Sequence, residues 1–293
     1  MAKNTGPVLK INWNAGQTDF DSVIERYDRY LREKGFSEAT IKRYLDILGY
    51  FLKFAGDSQP DVAKASEYRS YLVEERKAHS TINNSCFALK NFYKMHGEDF
   101  KFPVLRTSNI MPYYFTEDEV NRILDACHNQ KHLAIFSTLF YGCLRASELC
   151  ALEDRDLNLE NLTIHVRHGK GNKDAYVLIS ARCAKILRRY LEIRPSITID
   201  GKNYLFFTDY ARPFRRTVLH AIFADIKKRA RVTSPGGLHC FGRHSPASLM
   251  IKNGGDIRVV QTILRHNDIK TTLRYCHVSD TTKRTMYDSF LTV

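Results

Sequence analysis

The chain has 293 residues, enough for two domains, and its net charge of +13 at pH 7 favours a polyanionic partner, whether DNA, RNA or anionic lipid. No apolar run is long enough to span a membrane, and residues 1–10 lack the apolar stretch and cleavage site of a secretory signal. The seven cysteines are scattered without a CxxC pair, which predicts reduced thiols in a cytoplasmic protein.

The first third of the chain has the periodicity of a helical bundle. Residues 1–18 contain glycine and proline without a sustained period, and we expect a flexible leader there. Four helical patterns follow, each beginning at a residue type that caps helices: Asp19, Ser37, Asp61 and Ser80. They predict a four-helix domain over residues 19–100. Such a bundle can place a helix in the major groove of DNA, or serve as an interaction module.

Residues 101–113 contain two prolines and predict a linker to a second domain over residues 114–293. That domain opens at Thr116, and Glu119 three residues later predicts a capping box. Two short strands around a basic, glycine-containing loop predict an antiparallel hairpin, and helices dominate elsewhere. The predicted strands cover residues 162–166 and 176–179, and the predicted helices cover residues 133–141, 181–193, 216–229, 247–253 and 257–264.

Several polar residues of the second domain could carry chemistry, although each is weak alone. Arg145, with Glu148 three residues later, is typical of a local helical ion pair. Lys170 lies at the tip of the predicted hairpin, where basic residues are usually solvated. Tyr275 follows His266 by nine residues, and a lone tyrosine is most often a packing residue whose hydroxyl is satisfied. Their order along the chain carries more information than any one of them.

Together these segments resemble the tyrosine recombinase and phage integrase family, with an Xer-like pattern. Residues 143–149, CLRASEL, resemble the family's GLRxSEL, and residues 169–173, GKGNK, resemble its GKGxK hairpin. Residues 256–278 resemble its ending, DxxxVQxxLGH followed by TxxYxHV. The resemblance covers about 180 residues from Thr116 onwards. It implies a mainly α fold with a small antiparallel β-sheet: an N-terminal four-helix, SAM-like core-binding domain that binds DNA, and a C-terminal α+β catalytic domain.

The resemblance implies a site-specific DNA recombinase that works through a 3′-phosphotyrosyl intermediate. Tyr275 would attack phosphorus, while Arg145 and Arg243 would clamp the non-bridging oxygens, because guanidinium geometry suits phosphate. Lys170 would protonate the 5′-oxygen leaving group. The phosphotyrosyl bond stores the energy of the broken phosphodiester, so neither ATP nor a metal nor another cofactor is expected.

The remaining roles also follow from the family. His239 would be the base or proton shuttle near the nucleophile, and His266 would donate a hydrogen bond to the phosphate. Glu148 would orient a catalytic histidine or arginine. His244 and His277 match family positions as well, and we expect structural roles for both.

The second catalytic box departs from the family pattern by one residue. The family has H-x-x-R, whereas here His239 precedes Arg243 by four positions and Cys240 stands at the family spacing. A helix can place either spacing on one face, or Gly242 can let the backbone absorb the extra residue. Cys240 as a reactive thiol is the remote alternative.

Two further departures from the family pattern lie after this box. Pro246 lies soon after it, and proline is tolerated only in a first helical turn, so a helix is predicted to begin at about Pro246. Arg265 replaces the glycine of the family's L-G-H, where it would contact phosphate or point into solvent.

The expected partners are double-stranded DNA, three further copies of the chain in a homotetramer on two DNA sites, and accessory DNA-binding proteins, without a membrane. The expected location is cytoplasmic and nucleoid-associated. An apolar-striped tail after Tyr275 is predicted to dock on a neighbouring protomer. Two alternatives stay open: a type IB topoisomerase would relax supercoiled DNA without site dependence, and a non-catalytic DNA-binding regulator with a decayed site would form no covalent adduct.

Overall fold

A computed structural model of the chain describes residues 17–99, 101–106, 112–167, 174–276 and 287–288. The chain divides into two compact units, Met1–Ser108 and Asn109–Val293. Most of the predicted leader, the tip of the predicted hairpin and most of the predicted docking tail lie outside the described residues. Within the described ranges, no helix combines the length and apolar character needed to cross a bilayer.

The described residues of the first unit form four helices. They are α1 (Gln17–Glu33), α2 (Glu38–Ala55), α3 (Val62–Glu74) and α4 (His79–Met95). Ser37 and Asp61 cap α2 and α3 as predicted, because their side chains accept from the backbone N–H groups of the first turn. The predicted four-helix architecture is therefore confirmed.

Two predicted helix starts in this unit were wrong. Helix α1 begins at Gln17, before Asp19. Helix α4 begins at His79, so Ser80 lies inside it and does not cap it. The His79 ring nitrogen Nδ1 donates to the carbonyl oxygen of Arg106 at 2.8 Å. This contact with a distant segment holds the first turn of α4, and local capping preference does not reveal it.

The core of the first unit is built from the inward faces of its helices. Tyr27, Leu48, Phe51 and Phe92 are almost completely buried. The buried Tyr27 hydroxyl donates to the carbonyl oxygen of Ala88 at 2.6 Å. Because a buried hydroxyl without a partner is costly, this bond allows tyrosine in an otherwise apolar core.

The second unit is mainly helical with one small sheet, as predicted. Its helices are α5 (Glu117–Asp125), α6 (Gln130–Tyr141), α7 (Ala146–Ala151), α8 (Ala181–Ile193), α9 (Arg216–Arg229), α10 (Ser245–Lys252), α11 (Ile257–Leu264) and α12 (Ile269–Leu273). Its strands are β1 (Leu157–Asn158), β2 (Thr163–Val166) and β3 (Ala175–Leu178).

The sheet is antiparallel, with strand order β1-β2-β3. Ile164 pairs with Val177 across the predicted hairpin. Strand β1 and helices α7 and α12 were not predicted, because elements this short contain too few residues for a hydrophobic period. Helix α5 begins with the predicted capping box, in which the Thr116 side chain accepts from the Glu119 N–H and the Glu119 side chain accepts from the Thr116 N–H.

Helix α6 runs through a core rich in aromatic residues. Phe115, Phe136, Phe223 and Phe241 lie with neighbouring ring centroids 5.1–6.5 Å apart. All four are buried. The burial of such large apolar side chains stabilises the folded unit. Because Phe241 is one of them, it also anchors the segment that leads into α10.

A π-helical turn, Cys240–His244, precedes α10. It is closed by the Ser245 N–H, which donates to the carbonyl oxygen of Cys240. A π-turn holds one more residue than an α-turn, so the extra residue of the second catalytic box is absorbed in the backbone. Helix α10 then begins at Ser245, with Pro246 in its first turn, close to the predicted start.

Candidate active site

One buried carboxylate organises two arginines. The Glu148 side chain is only 5% exposed, and its oxygens accept from Arg145 Nη1 at 2.6 Å and from Arg265 Nη2 at 2.6 Å. It also accepts from the backbone N–H of Arg145 at 2.8 Å, at the start of α7. Glu148 therefore fixes the positions of both guanidinium groups.

Arg243 reaches the same region from the π-turn. It is 2% exposed, and it donates to the carbonyl oxygens of Cys143 at 2.6 Å and Leu264 at 2.5 Å. Two bonds to fixed backbone groups set the plane of its guanidinium. Burial, followed by the charges of Arg145 and Arg265, lowers the pKa of Arg243 to about 10, so it stays charged at neutral pH.

The two carbonyl groups that hold Arg243 lie at two helix ends of the same kind. Cys143, after α6, has φ +47°, and Arg265, after α11, has φ +54°. In each case the N–H of the following residue donates a hydrogen bond to a carbonyl oxygen of the last helical turn. Leu144 donates to Leu139, and His266 donates to Gln261. Both positions carry glycine in the family pattern, as a left-handed conformation favours.

Tyr275 is packed rather than open. It is 4% exposed and lies in a small cluster with Cys143, Ala247, Val260 and Leu264. Its hydroxyl lies 2.8 Å from His244 Nδ1. Burial raises the pKa of Tyr275, and the charges of Arg243 and Arg274 oppose that rise. The phenol is therefore protonated at neutral pH.

His244 is the histidine that contacts the tyrosine hydroxyl. Burial, followed by the charges of His239 and Arg274, lowers the pKa of His244 to about 4. Its imidazole is therefore neutral at pH 7, and Nδ1 can accept a hydrogen bond from the Tyr275 hydroxyl. The sequence suggested a structural role for His244. The position of His244 directly after Arg243 was the signal in the sequence that it could lie in the site. The π-turn decides that the His244 side chain faces Tyr275.

His239 contacts His244 and lies further from Tyr275 than His244 does. Its exposed ring packs edge-on against the His244 ring, with centroids 4.8 Å apart. Partial desolvation, followed by the charges of Arg243 and Arg145, lowers the pKa of His239. His239 is placed to exchange a proton with solvent beside His244, rather than with Tyr275 directly.

His266 also lies beside the tyrosine. Its Nδ1 is 2.9 Å from the hydroxyl oxygen of the buried Thr272, and its ring lies roughly parallel to the Tyr275 ring at 6.4 Å. Lys170 and His277 lie outside the described residues. The structure thus brings Arg145, Arg243, His239, His266 and Tyr275 into one region, and adds His244 and Arg265.

Cys240 does not carry a reactive thiol. It is buried, its Sγ lies 2.8 Å from the carbonyl oxygen of Tyr113, and burial raises its pKa to about 11. A thiol that stays protonated at neutral pH is a poor nucleophile. In the described part of the chain, no cluster of His, Cys, Asp and Glu could hold a metal ion.

A tyrosine hydroxyl beside a neutral histidine, with several guanidinium groups around one carboxylate, is an arrangement suited to phosphoryl transfer with tyrosine as the nucleophile. Two family profiles match the chain. The Phage integrase family matches residues 113–282, and the Phage integrase N-terminal SAM-like domain matches residues 24–96.

Curated relatives and solved structures agree with these matches. Tyrosine recombinase XerA of Pyrococcus horikoshii is 31% identical over 260 residues, which cover 88% of this chain and 89% of the relative. Tyrosine recombinase XerC of Pediococcus pentosaceus is 29% identical over 294 residues, which cover 92% of this chain and 96% of the relative. The Tn1549 transposon integrase in complex with transposon right end DNA matches with a TM-score of 0.70 at 21% identity, covering 92% of this chain and 99% of that one.

The chain belongs to the phage integrase family and is a tyrosine recombinase. The resemblance seen in the sequence is confirmed, as is the fold class of a SAM-like N-terminal domain followed by an integrase catalytic domain. Its relatives are named recombinases, so the topoisomerase and non-catalytic alternatives are not favoured.

Proposed function

We propose that this tyrosine recombinase cuts and rejoins double-stranded DNA at specific sites, with Tyr275 as the nucleophile. The observation that carries the proposal is the hydrogen bond between the Tyr275 hydroxyl and His244, with Arg243 fixed beside them by two carbonyl groups. The names of the relatives support recombination as the reaction.

In the proposed reaction, the Tyr275 oxygen forms a bond to phosphorus while the bond from phosphorus to the 5′-oxygen breaks. The product is a 3′-phosphotyrosine and a free 5′-hydroxyl. Attack places extra negative charge on the non-bridging oxygens, and Arg145 and Arg243 are oriented before the substrate arrives. Such preorganised donors usually give the largest catalytic contribution. Rejoining is the reverse reaction with a 5′-hydroxyl from another strand.

Two proton transfers accompany cleavage. We assign His244 as the first acceptor of the Tyr275 proton, because it is neutral and lies at hydrogen-bond distance. The low pKa of His244 makes it a weak base, so the transfer accompanies formation of the bond to phosphorus, which makes the phenol oxygen more acidic. His239 then relays the proton to solvent. Lys170 would donate a proton to the leaving 5′-oxygen and His266 would donate to the phosphate, both by their match to the family pattern.

The acceptor role has its own test. Asparagine can place an oxygen near the position of Nδ1 but cannot take the proton, so His244→Asn should cut the rate of adduct formation by about 100-fold. His239→Asn, the comparison variant, should have a smaller effect. If both variants reacted at the wild-type rate, His244 would not be the acceptor.

A covalent adduct tests the nucleophile. Incubation of the full chain with fragmented DNA of its source, followed by denaturation, should recover DNA bound to Tyr275, and the Tyr275→Phe variant should recover none. Tyr210→Phe is a matched control, since Tyr210 is 86% exposed and outside the site. If the wild type formed no adduct, the alternative of a non-catalytic DNA-binding regulator would be favoured. Relaxation of plasmids without site dependence would favour the topoisomerase.

The assembly is also a proposal. Four copies on two DNA sites would let strands be exchanged between sites, with accessory DNA-binding proteins choosing the partner site in the nucleoid of the cytoplasm. The structure of a lambda integrase dimer bound to a core site supports an assembly of several protomers on DNA. Light scattering of the protein with the recovered DNA should give the mass of four chains and two duplexes, and a mass of one chain per duplex would contradict it.

A further inference from the structure

Arg265 occupies a position that disfavours it. Its φ of +54° lies in the left-handed region, where any residue except glycine is strained. The family pattern has glycine at this position of L-G-H, so the backbone has no need for arginine. Other arginines of the chain, such as Arg231, share this backbone conformation, so the contacts of the Arg265 guanidinium decide what the side chain does.

One end of the Arg265 guanidinium is bonded and the other is not. Nη2 donates to Glu148 at 2.6 Å. Nη1 is buried and has no hydrogen-bond partner within the described residues. A buried N–H group without an acceptor costs free energy, and nearly all such groups in folded proteins have one. The side chain as a whole keeps 15% exposure, although Nη1 itself is buried.

The charges around Arg265 favour an anion as the missing acceptor. Glu148 is the carboxylate that binds both Arg145 and Arg265, and Arg243 lies close enough that both of these arginines lower its pKa. One negative charge therefore faces three positive charges in this cluster. A phosphate would offer oxygen atoms to Nη1 and reduce the excess positive charge.

We propose that Arg265 is a third phosphate-binding arginine, which contacts a non-bridging oxygen of the phosphate attacked by Tyr275. Glu148 aims it, as it aims Arg145, by holding the opposite side of its guanidinium. The proposal rests on the function proposed above and extends it to a residue that the family pattern does not contain.

The strained backbone provides an informative variant. Arg265→Gly removes the guanidinium and relieves the strain at φ +54°, so the helix end should stay folded. Arg265→Lys keeps the charge but lacks the planar fork that can bind Glu148 and phosphate together. Arg231→Gly is a matched control, because Arg231 is an exposed arginine at φ +53°.

The experiment measures single-turnover adduct formation at saturating DNA. The substrate is a nicked duplex with the sequence that the wild type captures covalently. Arg265→Gly should be slower by about 10- to 100-fold, Arg265→Lys should also be slower, and Arg231→Gly should match the wild type. Equal rates for Arg265→Gly and the wild type would overturn the proposal while leaving the proposed function intact, because the wild type still forms its adduct.

A modified substrate separates direct contact from an effect through Glu148. In a methylphosphonate at the cleaved position, a methyl group replaces one non-bridging oxygen, and each stereoisomer lacks a different one. The rates of wild type and Arg265→Gly should converge on one stereoisomer and differ on the other. The same rate ratio on the phosphodiester and on both stereoisomers would mean that Arg265 only positions Arg145, and the proposal would be wrong.

Discussion

Two neighbouring clusters in the second unit are built on opposite principles. The large core around α6 consists of apolar side chains such as Phe136, Leu139 and Phe241. The small cluster around Tyr275 contains only a few apolar residues and is surrounded by charged and polar groups. The large core depends on buried area, whereas the small cluster depends on individual hydrogen bonds with defined directions.

The π-turn joins the two clusters. Phe241 packs into the large core, and Arg243, two residues later, bonds to carbonyl groups beside Tyr275. A single turn of backbone therefore contains both Phe241, which packs in the core, and Arg243, which belongs to the candidate active site. Substitutions in the core should cost stability, and those in the small cluster should cost catalysis while the fold remains.

The largest effect is expected in the large core. Phe241→Ala should lower the free energy of unfolding by about 3–5 kcal/mol, because it removes a buried ring and leaves a cavity among other aromatic rings. Hydrogen exchange of the buried amides of α6 would measure the change. A loss well below 1 kcal/mol would mean that packing in this core is not what holds the π-turn.

The next largest effect is expected for Arg243. Arg243→Lys should slow adduct formation by about 100- to 1,000-fold, because the compact ammonium group lacks the planar fork whose separate nitrogens reach the two carbonyl oxygens and a phosphate together. Single-turnover kinetics would measure the rate, with protection of the α6 amides as the control for folding. A defect that appeared only together with lost protection would contradict the separation of the two clusters.

Gly242 tests the contact between the clusters. A Cβ atom there would lie 2.7 Å from Leu139 Cγ and 3.1 Å from the carbonyl oxygen of Leu144. Gly242→Ala should therefore destabilise the unit by about 1–3 kcal/mol and also slow cleavage, since the π-turn would shift. Gly237→Ala is the control, because a Cβ atom at Gly237 would have no neighbour within 4 Å. Equal stability of both variants would argue against close packing at the turn.

The smallest effect is a pH dependence from His244. The unfolded chain binds a proton on this histidine below a pKa of about 6.5, whereas the folded chain does so only near 4. Lowering the pH from 7 to 5 therefore favours unfolding, by about 1–2 kcal/mol from this residue. Hydrogen exchange at both pH values should show a smaller loss for His244→Asn than for the wild type. If both proteins lost the same stability between pH 7 and pH 5, protonation of His244 would not be the cause of the pH dependence.

Much of the fold was predictable from local patterns. The hydrophobic periods located α8, α9 and α11, and capping preferences located Ser37, Asp61 and Thr116, because these signals depend on near neighbours in the chain. The start of α4 was wrong because its first turn is held by residues far along the chain.

The sequence by itself determined the family, the two helical units and the residue types of the site, because ordered motifs and periodicity are properties of the chain alone. Only the tertiary structure decided that the extra residue of the second box lies in a π-turn, that His244 and not His239 meets Tyr275, and that Glu148 joins Arg145 to Arg265. These pairings depend on the direction of side chains from separate segments. That direction is set by how the segments pack around the large core, and no local pattern encodes it.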